Sequence, residues 1–79
     1  MGFDYSALLF DYSKLLGRIK EKGFTQDSLA KYIGIRPGTM SDKLNNKARF
    51  KQPEIIMICE ALDIALSEIG VYFFAQKVR

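Results

Sequence analysis

Residues Thr25 to Asn46 read TQDSLAKYIGIRPGTMSDKLNN, and this stretch decides the fold. Thr25 stands as an N-cap with Asp27 in the turn behind it, and Phe24 and Leu29 hold the N′ and N4 positions of a hydrophobic staple. Leu29, Ala30 and Ile33 recur at helical spacing as an inner face. Gly34 follows, able to take the positive φ that a tight turn between helices demands. Pro37 is placed first in the next helix, where its missing N–H costs nothing, and Met40 and Leu44 form an i, i+4 core contact before Asn45 and Asn46 close it. The expectation is two short helices around a glycine turn.

Upstream, Tyr12, Leu15, Leu16 and Ile19 form one apolar stripe, which predicts a first helix over about Tyr12 to Lys22, ended by Gly23. Before it lies a duplication: Phe3 to Leu9 reads FDYSALL and Phe10 to Leu16 reads FDYSKLL. The second copy runs into the helix. The first, within residues 1–9, reads as an N-terminal extension, either a natural duplication or an added segment, and a heptad repeat permits a lengthened first helix. Downstream, a basic loop containing Phe50 leads to Pro53, which opens a fourth helix to about Leu62. Ile55, Ile56, Met57, Ile58, Cys59, Ala61 and Leu62 make that helix apolar nearly all round, predicting a buried, central element with Cys59 in the core. A fifth helix is expected from Ala65 or Leu66. The tail, residues 71–79, carries Tyr72, Phe73, Phe74 and Val78, which either fold back on the core or pair two copies as a dimer.

Seventy-nine residues, 48% of them hydrophobic, suffice for a single domain with one core but not for a separate catalytic cleft. The chain has no histidine, no tryptophan and a single cysteine. Zinc ligation, histidine general bases and disulfides therefore find no support, and neither an enzyme nor a cofactor is expected. No apolar run reaches the roughly 18 residues needed to span a bilayer, and a cytoplasmic location with no membrane partner is the expectation. Net charge is +3, but residues 14–51 carry +7 while each flank carries −2. The positive field coincides with the two-helix segment, which points to an anionic partner.

Gln26, Ala30, Gly34 and Met40, with their flanking helices, resemble the fixed points of the lambda-repressor-like, or XRE-type, helix-turn-helix family. The chain is similar to small phage Cro-like or repressor-like regulators. That resemblance implies an all-α, five-helix DNA-binding domain that regulates transcription by binding a double-stranded operator, usually as a homodimer, with a recognition helix over about residues 37–45 in the major groove. The outward face of that helix holds the base-contact candidates Gly38, Ser41, Asp42 and Asn45, with the candidates Thr39 beside them and Arg36 just ahead, and Arg36 can pair bidentately with guanine. Thr25, Gln26, Lys43, Asn46, Lys47, Arg49 and Lys51 form the candidate phosphate set.

Pro37 and Gly38 depart from the family pattern, because neither offers a side-chain hydrogen bond where polar readers are usual. This opens a second reading: a protein-interaction modulator of the same fold that binds a partner repressor.

Overall fold

Capping chemistry sets the helix boundaries. A computed structural model describes residues 8–77, and within it the chain forms α1 (Ser13–Glu21), α2 (Gln26–Ile33), α3 (Pro37–Leu44), α4 (Gln52–Leu62) and α5 (Ile69–Phe73), the last preceded by a 3-10 turn at Leu66–Glu68. At the start of α2, Thr25 Oγ1 accepts the Ser28 N–H at 3.0 Å while Ser28 Oγ accepts the Thr25 N–H at 2.8 Å. This is a reciprocal capping box built with serine in place of the usual Glu or Gln.

The first four helices end alike. Gly23, Gly34, Asn46 and Asp63 take positive φ values of 82°, 84°, 62° and 53°, and the next residue's N–H reaches back to the carbonyl of Ile19, Ala30, Asp42 or Cys59 at 2.8–3.0 Å. These are Schellman closures, which satisfy carbonyls left open at a helix end. Glycine adopts the conformation freely, whereas an L side chain is strained there by about 1–2 kcal/mol. The two non-glycine positions are held by side-chain bonds. Asp63 Oδ2 accepts from Lys22 Nζ at 2.9 Å, and Arg18 of α1 donates from Nε to the Leu62 carbonyl at 2.9 Å and from Nη2 to that of Asp63 at 3.1 Å. Asn46 is tied to the N-terminal segment, as described below.

The core gathers Leu15 and Ile19 from α1, Leu29, Ala30 and Ile33 from α2, Met40 and Leu44 from α3, Ile55, Ile58, Cys59 and Leu62 from α4, and Phe73 from α5. α2 packs on both α3 and α4, and α1 packs on α5. Phe50 enters from the loop and meets Tyr12 and Phe73 edge-on, each at 5.5 Å. Among the described residues the architecture is all-α, and its extended pairing is one antiparallel bridge between Phe10 and Gln76. Asp11 N–H donates to the Ala75 carbonyl at 2.7 Å and Lys77 N–H to that of Leu9 at 3.1 Å. No helix here is long and apolar enough to cross a membrane.

Four expectations change. Leu16 lies exposed, so the α1 stripe narrows to Tyr12, Leu15 and Ile19. α4 is not buried all round, because Ile56 and Met57 face outward at 42% and 37% exposure. The segment after Ala65 begins as a 3-10 turn, since Ala65 supplies no side-chain cap. The first helix does not extend upstream through Phe10, which is held extended by Gln76. Most of the first heptad copy, residues 3–7, lies outside the described residues, as does Val78.

Candidate protein-interaction face

Arg36 caps α3 in an extended conformation and Pro37 begins the helix without a donor. The following residues turn one face outward. Arg36, Gly38, Asp42 and Asn45 are exposed, with Thr39 and Ser41 partly so. Their chemistry is compact and nearly neutral, with one guanidinium and one carboxylate among short groups. A Cβ placed on Gly38 would meet no atom within 4 Å; the fold does not require glycine there. Asn45 is turned back on its own helix, its Nδ2 donating to the Ser41 carbonyl at 2.8 Å and lying 3.3 Å from Ser41 Oγ. Its amide nitrogen is thus engaged within its own helix.

The phosphate set divides. Thr25, Gln26, Lys47 and Lys51 are exposed. The other three serve the fold. Lys43 is 4% exposed and pairs with Glu54 of α4, so its ammonium is out of reach of a phosphate. Asn46 Oδ1 accepts the Phe10 N–H at 2.9 Å and its Nδ2 donates to the Phe10 carbonyl at 2.9 Å. Arg49 donates to the Leu8 carbonyl at 2.7 Å, and its guanidinium lies 5.3 Å from the centre of the Phe10 ring, within cation–π range. These are corrections: side chains placed in the phosphate set by charge and position are fastened to Glu54 and to the segment before α1, Arg49 while remaining exposed.

Glu54 was not singled out by sequence reasoning. Its signal was present, an acid three residues after Lys51 in the first turn of an apolar helix, where it accepts the Lys51 N–H at 2.8 Å. Burial pushes its carboxyl up, but hydrogen bonds from Lys43 and the Lys51 amide, with their charges, outweigh burial and hold it below the ordinary carboxylate value. Burial alone pushes the Cys59 thiol up, which suits an inert core residue.

The tail candidates also separate. Phe73 is 2% exposed and belongs to the core, Tyr72 is half-buried, and Phe74 is exposed beside Phe10, their ring centroids 6.2 Å apart. Folding back on the monomer accounts for most of this aromatic surface.

The DUF739 family, described as proteins of unknown function, matches residues 8–76. The chain belongs to that family. The match begins at Leu8, so it omits nearly all of the first heptad copy. Among solved structures, the chain is similar to the modulator of repression (MOR) of the temperate bacteriophage TP901-1 from Lactococcus lactis, with 41% identity, a TM-score of 0.73, and coverage of 89% of this chain and 95% of that one. No curated protein matches. The expectation of a sequence-specific, operator-binding regulator is therefore corrected. The similar solved structure is described as a modulator of repression, and in the DUF739 chain Lys43 is buried against Glu54 while Asn46 and Arg49 are bonded to the N-terminal segment.

Proposed function

We propose that this DUF739 chain is a non-catalytic protein-interaction module that modulates phage repression by binding a repressor protein, and that the outward face of α3 is its contact surface. The observation that carries the reading is that Lys43 is buried against Glu54, while Asn46 and the exposed Arg49 are hydrogen-bonded to the segment before α1. Affinity for DNA rests on cations at phosphates, and here Lys43 is used to hold α4, and Asn46 and Arg49 to hold the segment before α1. The exposed Arg36 and Asp42 with the small Gly38 suit a protein partner, because opposite charges on a compact face select register and orientation. The likeness to a phage modulator of repression supports the class of partner.

The test is calorimetric titration of the chain into the repressor encoded by the same genome, with Arg36→Glu and Asp42→Lys in parallel. A complex with the parent that weakens on both charge reversals is the expected result. Absence of a complex, or a complex indifferent to both, refutes the assignment.

A further inference from the structure

We propose that the outer face of α1 around Gly17, with the trough between α1 and the start of α2, is a second docking site, whose occupant is an acidic amphipathic helix of a partner protein. Gly17 sits in mid-helix, where glycine is less favourable than alanine or a straight-chain residue. It is two residues from each of the buried Leu15 and Ile19, which sets it on the opposite side of the helix. The fold draws nothing from it: its φ is not positive, and a Cβ placed there meets no atom within 4 Å. The remaining physical use of a bare position on an exposed helix face is close approach by another backbone. Beside it lies the apolar half of the site. Leu16 is 39% exposed and lines the trough with Ile19, Lys20, Phe24, Thr25 and Gln26. Tyr32, itself exposed, extends this surface by meeting the Phe24 ring edge-on at 5.6 Å.

The charge at the site is positive. Lys20 is the charged residue of the trough lining. Exposed Lys14 and Lys20 stand about one turn before and after Gly17, and neither takes part in a salt bridge among the described residues. The one carboxylate of α1, Glu21, is held by Arg18, and Asp27 of α2 lies outside the lining. A partner helix with glutamates or aspartates beside an apolar stripe meets opposite charges here and lays its stripe over Leu16 and Phe24. A second copy crossing antiparallel at Gly17 sets Lys20 of each α1 against Lys14 of the other, like against like. Nucleic acid answers the lysines but leaves the Leu16 and Phe24 surface uncovered. The site is built from α1 and the start of α2, so it stands or falls apart from the α3 face.

The experiment is amide NMR titration of the full chain with a helical peptide of leucine and glutamate at i, i+4 spacing, with the same peptide carrying lysine for glutamate, and with one carrying serine for leucine. The first should shift the amides of Leu16, Gly17, Lys20 and Phe24, and the other two should not. Gly17→Gln should raise the melting temperature, because glutamine favours the helix, yet weaken binding about tenfold, because its side chain fills the approach. Lys20→Glu should weaken binding about fivefold. Equal binding of the three peptides, shifts confined to other surfaces, no binding, a Gly17→Gln or Lys20→Glu variant that binds as the parent does, or sedimentation showing copies associated through α1 overturns the proposal.

Discussion

Replacing Glu54 with alanine would leave Lys43, whose side chain is 5% exposed, charged and without its partner. Removing one member of a buried pair costs about 3–5 kcal/mol, and the 11% exposure of Glu54 places this site at the lower end, about 3 kcal/mol. A domain of this size holds roughly 4–12 kcal/mol in total, so the variant keeps only part of its margin. The expected fall in Tm is about 12–24 °C, read by circular dichroism during thermal unfolding, with urea denaturation giving the free energy. Lys43→Met combined with Glu54→Leu removes both charges and should recover all but about 1 kcal/mol, the residue being the lost acceptor for the Lys51 amide. The pH dependence follows from a folded carboxyl held below its ordinary value of 4.5. Its contribution is present above that value and disappears as pH falls through the lower folded value, so acid unfolding of the parent should include a component that Glu54→Ala lacks. A single variant losing less than about 1 kcal/mol, or a double variant no better than the single, would refute the account of a desolvated pair.

Asn46→Gly keeps the left-handed backbone but loses both bonds to Phe10, and Asn46→Ala loses the bonds and adds strain; urea melts should rank alanine below glycine by about 1 kcal/mol. Gly38→Ala, entering open space on α3, should raise stability by about 0.5–1 kcal/mol, and a decrease would show that the position needs glycine. Phe73→Ala should cost about 3–5 kcal/mol in the same melts, whereas Phe74→Ser should stay within about 1 kcal/mol of the parent. Cys59 should react with a thiol reagent only as fast as the domain opens, so rapid modification under native conditions would contradict its burial.

The four main helices were legible because their signals are local. Thr25 before Gln26, Gly23 and Gly34 at positive φ, Pro37 at a helix start, and the spacing of Leu29, Ile33, Met40 and Leu44 each act over a few residues along the chain. Helical periodicity likewise assigns Gly38 and Asp42 to the side opposite Met40, and both are exposed. The exposure of Ile56 and Met57 was not legible. An apolar helix carries no mark of which side its neighbours leave uncovered, and here α5 is only five residues long.

Charge and motif spacing are properties of the linear chain, and they placed a basic field around a two-helix segment. Which of those cations remain available is a property of three-dimensional pairing. Lys43 meets Glu54 across 11 positions, Asn46 meets Phe10 across 36, and Arg49 meets Leu8 across 41. No local pattern encodes such partners, because each bond depends on how α3 and the loop after it are brought against α4 and the segment before α1. The helices are thus written in short-range propensity and capping, while the engagement of Lys43, Asn46 and Arg49 within the fold is decided by long-range hydrogen bonds.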